Sequence, residues 1–150
     1  MPELRVGDAM PATTLIGKDG PVDLRTRVGK PLVVYFYPKD ETYGCTIEAC
    51  GFRDSYEDFT AAGAEVIGVS RDDAASHEAF IGKHRLPFTL LSDPGGKVAE
   101  SWGLRSTLGI PPRVTFVFDK AGVVRHKFDS KIRFGKHVDE ALEVVKKLPR

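Results

Sequence analysis

The residues of this sequence best suited to chemistry are its two cysteines, Cys45 and Cys50. Cys45 closes the segment P-K-D-E-T-Y-G-C, which follows a continuous apolar run and leads into a helical pattern. Backbone N–H groups in the first turn of a helix are unpaired and carry a partial positive charge, which favours the thiolate over the thiol. The thiolate is the nucleophilic form of cysteine. The position of Cys45 therefore predicts a reactive thiol, and the hydroxyl of Thr42, three residues upstream, can point to the same place.

A small buried hydrophobe is the alternative interpretation of Cys45, because free cysteines are among the most buried residues. Its position argues against that interpretation. A junction of strand, loop and helix lies at the carboxyl edge of a sheet, which is where ligands bind in α/β proteins.

The second cysteine, Cys50, follows Cys45 by five residues on the predicted helix. Helical geometry separates two such Cα atoms by ~8–9 Å and by ~140° around the axis. A disulfide needs Cα atoms under ~7 Å apart, so the helix must unwind if the two cysteines pair. A zinc site would lack ligands, because no histidine lies near the cysteines in the sequence. The spacing is also not the C-x-x-C of dithiol oxidoreductases.

The elements that must position these cysteines follow from apolar periodicity and turn residues. Leu32–Tyr37 reads as a strand buried on both faces, and the next helix runs from about Cys45 to Ala62 with Gly63 at its end. The other predicted strands are Thr14–Ile16 and Val22–Leu24 as a small hairpin, Glu65–Val69, Thr89–Leu91, Val114–Phe118 and Val123–Phe128, and the other predicted helices are about Asp73–His84, Gly96–Trp102 and Lys136–Lys147. The order β-α-β-α-β-α-β-β-α predicts an α/β protein with a thioredoxin-like fold, in which a central mixed sheet is flanked by helices on both faces and preceded by an N-terminal β-hairpin.

Composition limits the classes of partner. The length of 150 residues indicates one domain over residues 1–150. The 22 basic and 21 acidic side chains nearly balance, which indicates no electrostatic attraction to nucleic acid or an acidic membrane. No apolar run approaches the ~20 residues of a membrane helix, and the N-terminal residues do not resemble a secretory or transit signal. We therefore expect a cytoplasmic protein, in which a disulfide is more often catalytic than structural.

The segment P-K-D-E-T-Y-G-C-T-I-E-A-C-G-F-R-D resembles the active site of peroxiredoxins, whose hallmark is Pro-x-x-x-Thr-x-x-Cys. The gap to the second cysteine is similar to that of the bacterioferritin-comigratory protein/peroxiredoxin Q group. The similarity extends from about Leu4 to Leu148 and includes F-T-L-L-S-D and P-R-V-T-F-V-F-D-K-A-G-V-V-R-H. It implies one thioredoxin-like domain of the AhpC/TSA type.

The resemblance implies a thiol peroxidase that reduces hydrogen peroxide and organic hydroperoxides. Cys45 would be the peroxidatic cysteine and become a sulfenic acid, and Cys50 would attack it to give an intramolecular disulfide. A sulfenic acid beside a second thiol condenses with that thiol to a disulfide instead of being oxidised further to a sulfinic acid. The implied reductant is thioredoxin or a similar dithiol protein, and no metal or organic cofactor is needed. Because one chain holds both cysteines, we expect a monomer.

The resemblance also implies roles for four further residues. Thr42 would hydrogen-bond the thiolate and the bound peroxide, and Pro38 would shield the sulfur from water. Arg113, which opens the predicted strand Val114–Phe118, would stabilise the thiolate and the polarised peroxide. Glu48 would hold the Arg113 guanidinium in place.

Other interpretations stay open on the sequence alone. A thioredoxin-fold redox sensor could pass oxidation from the same cysteines to a partner protein, whereas a copper chaperone of this fold needs C-x-x-x-C. The preferred peroxide and the isomer of the bonds before Pro111 and Pro112 are not determined. The four histidines fall in helix or strand segments and are expected to be surface or packing residues away from the site: His77, His84, His126 and His137.

Overall fold

The computed structural model of the chain describes residues 3–149. It contains one seven-stranded mixed sheet in the order β2-β1-β5-β4-β3-β6-β7. The strands are β1 (Thr14–Gly17), β2 (Gly20–Asp23), β3 (Leu32–Phe36), β4 (Glu65–Ser70), β5 (Thr89–Ser92), β6 (Val114–Phe118) and β7 (Val124–Asp129). The helices are α1 (Tyr43–Asp54), α2 (Tyr56–Ala61), α3 (Ala74–His84), α4 (Lys97–Ser101) and α5 (Phe134–Lys147), with short 3-10 turns at Leu24–Arg27 and Pro94–Gly96.

The central strand β3 explains why its sequence is apolar throughout. All five of its residues are buried, and it pairs parallel with β4 and antiparallel with β6. Side chains of successive strand residues point to opposite faces of a sheet. Val33 and Tyr35 accordingly pack in a core with residues of α1, α2, α3 and α5. Leu32, Val34 and Phe36 pack on the other face, with Trp102 and residues of α4.

Helices therefore cover both faces of a mixed sheet, and the predicted α/β, thioredoxin-like fold is confirmed. The predicted N-terminal hairpin is present as β1 and β2, which pair antiparallel. The peptide bonds before Pro111 and Pro112 are trans. Within residues 3–149, no helix has the length and apolar character needed to cross a membrane.

One helix prediction is wrong in its extent. The single helix expected from about Cys45 to Ala62 is two helices, because Ser55 leaves helical geometry (φ −100°, ψ 5°) between α1 and α2. The apolar pattern hides this break, since Phe52 and Phe59 lie on either side of it and both pack in the same core. The predicted end is correct. Gly63 adopts φ +80° after α2, a left-handed conformation in which glycine lacks the steric cost of a side chain.

Candidate active site

Cys45 is the third residue of α1, and the loop between β3 and α1 delivers it to the carboxyl edge of the sheet. The helix begins after Thr42, whose extended backbone (φ −79°, ψ 157°) has the geometry of an N-cap residue. The Cys45 side chain is buried, with 1% of its surface exposed. The predicted reactive position is thus a thiol in the first turn of a helix.

Arg113 reaches this thiol from a distant part of the chain. It immediately precedes β6, whose first residue, Val114, pairs with the last residue of β3, Phe36. The antiparallel pairing therefore places Arg113 at the same edge of the sheet as the end of β3, where the loop that leads to Cys45 begins. Nη2 of Arg113 lies 3.3 Å from the Cys45 sulfur. A guanidinium is always charged, so this contact favours the thiolate.

Glu48 lies one turn after Cys45 on α1 and faces the same guanidinium. Its Oε1 accepts a hydrogen bond of 2.7 Å from Nη1 of Arg113, and its side chain is completely buried. Burial raises the pKa of Glu48 to about 8, although the charge and the hydrogen bond of Arg113 act in the opposite direction. Glu48 thus fixes the position of a guanidinium whose other terminal nitrogen, Nη2, faces the Cys45 sulfur.

An aromatic ring closes the other side of the guanidinium. The Phe134 ring centroid is 4.7 Å from Cζ of Arg113, a cation–π distance. The same ring lies against Gly44, where the Cβ of any other residue would overlap it. Gly44 therefore permits the close approach between α1 and the start of α5.

The sequence did not identify His137 as part of this site. Its Nε2 donates to the Ser130 carbonyl at 2.7 Å, so in the neutral ring Nδ1 accepts from the Thr115 hydroxyl at 2.8 Å. Nδ1 also lies 3.6 Å from Oε2 of Glu48. Burial lowers the pKa of His137, which keeps the ring neutral. The expectation that this histidine lies away from the site is wrong, because the first turn of α5 packs against Glu48 and the middle of β6.

Comparisons with known proteins show the family of the chain. The AhpC/TSA family profile matches residues 6–127. The chain belongs to the AhpC/TSA family. It is 53% identical over 145 residues to the chloroplastic peroxiredoxin Q of Triticum aestivum, covering 95% of this chain and 67% of that protein. It is also 53% identical to the peroxiredoxin Q of Suaeda salsa, with 95% and 68% covered.

Solved structures of this family have the same fold. The peroxidoxin BcpB of Mycobacterium tuberculosis superposes with a TM-score of 0.90 and 33% identity, covering 99% of this chain and 100% of that one. A peroxiredoxin Q of Xanthomonas campestris gives a TM-score of 0.81 with 32% identity and 89% coverage of both chains. The predicted resemblance to peroxiredoxin Q is confirmed, and with it thiol-dependent peroxidase activity. The redox-sensor alternative is not favoured. The plant relatives are chloroplastic proteins, and the cytoplasmic location of this AhpC/TSA-family protein stays a prediction.

Two other predicted site residues lie in or next to the loop before α1. The resemblance implied that the Thr42 hydroxyl hydrogen-bonds the thiolate. In this structure the hydroxyl instead donates to the Lys39 carbonyl at 2.8 Å, so its proton is not directed at the Cys45 sulfur. The tight turn after Pro38 brings that carbonyl within reach of the hydroxyl. Pro38 itself is half-buried. Its shielding of the sulfur and the contact of Thr42 with peroxide stay predictions.

Cys50 is a free, half-buried thiol, and Cys45 is also free. The uninterrupted helix α1 carries both cysteines, which keeps their Cα atoms ~8–9 Å apart. The partner of Cys50 in this state is His84, whose Nδ1 lies 3.9 Å from the sulfur. The expectation that His84 lies away from the site is wrong too, because the end of α3 packs against α1.

Proposed function

We propose that this peroxidase reduces hydrogen peroxide and organic hydroperoxides with Cys45 as the nucleophile, Cys50 as the resolving thiol and a thioredoxin-type protein as the reductant. The observation that carries the proposal is the 3.3 Å contact between Arg113 and the Cys45 sulfur in the first turn of α1. A permanent cation and a helix N-terminus there act together on a single buried sulfur.

In the oxidation step, the Cys45 thiolate attacks one oxygen of the peroxide. The O–O bond breaks, the sulfur becomes a sulfenic acid, and an alkoxide or hydroxide leaves and takes up a proton. Negative charge develops on the leaving oxygen, and the Arg113 guanidinium stabilises it next to the helix N–H groups. The Thr42 hydroxyl, whose proton is engaged by Lys39, has oxygen lone pairs left to accept a hydrogen bond from the peroxide.

In the resolution step, the Cys50 sulfur attacks the sulfenic sulfur of Cys45. A disulfide forms, the S–O bond breaks and water is released. Because intact helical geometry keeps the two Cα atoms too far apart, the first turns of α1 must open before this bond forms. A thioredoxin-type dithiol then reduces the disulfide by exchange. No second subunit is needed for this cycle, so we propose that the protein acts as a monomer.

The test is peroxide turnover with thioredoxin, thioredoxin reductase and NADPH, comparing wild type with Cys45→Ser and Cys50→Ser. We expect multiple turnovers for wild type, no activity for Cys45→Ser, and a sulfenic acid that accumulates in Cys50→Ser. Mass spectrometry with a sulfenic-acid trap identifies that product. Full activity of Cys45→Ser, or a wild type that reacts only once, would contradict the proposal.

A further inference from the structure

We infer that His84 is the proton acceptor for Cys50 in the resolution step, with Glu41 as the residue that positions its ring. The inference rests on the proposed function, in which Cys50 is the resolving thiol. It adds a second activating group, separate from Arg113, on the side of α1 that faces α3.

Three side chains from three parts of the chain form a continuous row. The Cys50 sulfur lies on α1, 3.9 Å from Nδ1 of His84 at the end of α3. Nε2 of the same ring lies 2.9 Å from Oε1 of Glu41, in the loop before α1. The fold thereby brings His84 into contact with Cys50, 34 positions earlier in the sequence, and with Glu41, 43 positions earlier.

The contact with Glu41 decides which nitrogen of His84 is the base. An ionised carboxylate only accepts hydrogen bonds, so Nε2 must carry the proton that Glu41 receives. In the neutral ring Nδ1 then has a free lone pair, and this is the nitrogen that faces Cys50. A nucleophile, a base and a carboxylate that orients the base are the components of activated thiols and hydroxyls in enzymes.

Glu41 is held where this arrangement needs it. Its φ of +64° is unusual for a residue with a side chain, and such conformations persist only where surrounding contacts determine them. Besides His84, the carboxylate contacts Lys83, whose Nζ lies 3.5 Å from Oε2. Both partners are on α3, so the loop that leads to Cys45 is tied to the helix that carries the base.

The other charged groups around the row are compatible with a thiolate. Arg53, three residues after Cys50 on α1, donates from Nη1 to the His84 carbonyl at 2.7 Å. Its guanidinium is within electrostatic reach of the Cys50 sulfur and is partly balanced by Asp54 at 3.0 Å. The Phe80 ring, 5.2 Å from the imidazole, packs against its edge on the same helix.

The chemical step is balanced within the reaction already described. His84 takes the proton from the Cys50 thiol while α1 is intact. The thiolate attacks the Cys45 sulfur when the helix opens, and the S–S bond replaces the S–O bond. The departing hydroxide becomes water by taking a proton from solvent, and the imidazolium returns its own proton to solvent.

Arg113 and His84 serve different needs. Cys45 must be a thiolate before peroxide arrives, so a permanent charge beside it is effective. Cys50 must lose its proton once per cycle and must also move away from His84 when the helix opens. A base that binds the neutral thiol only weakly meets both needs. The 3.9 Å contact is long enough to be broken easily when the helix opens.

The test separates the two steps in a single turnover. Reduced protein is mixed with one equivalent of hydrogen peroxide, quenched at intervals and analysed by mass spectrometry for thiol, sulfenic acid and disulfide, between pH 6 and pH 9. For His84→Asn we expect an unchanged rate of sulfenic acid formation. We expect disulfide formation to slow about tenfold at pH 7 and to recover to the wild-type rate near pH 9, where hydroxide removes the proton. Glu41→Gln, at a half-exposed position, should show the same pattern with a smaller loss.

The matched control is His126→Asn, the same change on β7, which should leave both rates unaltered. The inference is overturned if His84→Asn forms the disulfide with the wild-type rate and pH profile. It is also overturned if the rate falls by one factor at every pH, which indicates altered helix opening without a lost base. Failure of the proposed function looks different: Cys45 then forms no sulfenic acid in any variant, or wild type forms the sulfenic acid but no Cys45–Cys50 disulfide at any pH.

Discussion

Asp40 and His77 form a buried pair in which Oδ2 and Nδ1 are 2.8 Å apart. The other ring nitrogen of His77, Nε2, lies 3.1 Å from the Leu91 carbonyl oxygen. Asp40 also accepts from the Tyr37 hydroxyl and from Ser76. The pair connects the loop before α1 with α3 and β5, and so holds the active-site loop on the sheet.

Replacing Asp40 by Asn should destabilise the fold by about 3 kcal/mol at pH 7, because it removes the carboxylate oxygens that accept hydrogen bonds from Tyr37, Ser76 and His77 in a buried network. Burial alone would raise the pKa of Asp40, but hydrogen bonds from His77, Tyr37 and Ser76 outweigh it and the pKa lies below its usual 3.8. A lowered carboxyl pKa stabilises the fold above the usual value, and this stabilisation is lost as the pH falls through the lowered one. Urea unfolding at pH 7, 5 and 3 should show a difference that shrinks at the acid end.

The control for that series is Asp139→Asn, at an exposed position of α5, which should change stability by less than about 0.5 kcal/mol. A difference between wild type and Asp40→Asn that stays constant down to pH 3 would contradict a lowered pKa of Asp40.

Glu48→Gln should change the pH dependence of stability in the opposite sense. The folded pKa of about 8 exceeds the usual 4.5, so between these values the carboxyl ionises in the unfolded chain only and stability falls with rising pH. Glutamine cannot ionise. The variant should therefore gain on wild type by roughly 1 kcal/mol per pH unit from pH 5 to pH 8 in urea unfolding.

Glu78→Gln is the comparison for this effect, because Glu78 is exposed on α3. No gain for Glu48→Gln would mean that Glu48 is already ionised in the folded protein at pH 5. An equal gain in both variants would mean that the effect does not come from the burial of Glu48.

Arg113→Lys should slow the reaction of Cys45 with peroxide about 100-fold. Lysine keeps the charge but has no planar fork, so it cannot contact the sulfur and Glu48 through two nitrogens at once. Stopped-flow peroxide consumption measures the rate. Arg125→Lys, a half-exposed arginine paired with Asp119, should react like wild type, and an equal loss in both would exclude a specific role for Arg113.

Gly44→Ala should disturb the site through Phe134, whose ring occupies the space of the new methyl group. The Phe134 ring packs against the Arg113 guanidinium, so displacing the ring also disturbs the position of Arg113. We therefore expect a loss of stability of about 1–3 kcal/mol together with a slower peroxide reaction. Gly135→Ala on α5 meets no atom within 4 Å and should be neutral or stabilising. Thermal unfolding and peroxide kinetics of the two variants check this, and similar behaviour of both would refute the steric argument.

Oxidation to the disulfide should open the start of α1. Hydrogen exchange of the reduced protein should find the amides of Thr46–Cys50 protected, because their N–H groups are the first in α1 to have carbonyl partners within the helix. The disulfide form should lose this protection, because Cys45 and Cys50 cannot be bonded while the helix is intact. Cys50→Ser treated with one equivalent of peroxide should keep it. Unchanged protection after disulfide formation would show that the cysteines pair without unwinding.

The sequence alone predicted the fold because its central strands are apolar along their whole length and its helices carry periodic apolar positions. Leu32–Phe36 and Val114–Phe118 are examples of such strands. It also predicted the position of Cys45, since a motif spanning eight consecutive residues places the thiol at a helix start. The break at Ser55 escaped prediction because the apolar spacing continues across it.

Tertiary structure decided which side chains meet. Cys45 and Arg113 are 68 positions apart, and only the antiparallel register of β3 and β6 brings them into contact. His84 and His137 read as ordinary helix residues because nothing in their local pattern records what packs against them. Local sequence determines periodicity, helix starts and turns, whereas the partners of a buried polar group depend on how distant elements dock. For that reason the two cysteines could be identified from the sequence. His84, which contacts Cys50, and His137, which lies next to Glu48, were identified only from the packing of α3 and α5.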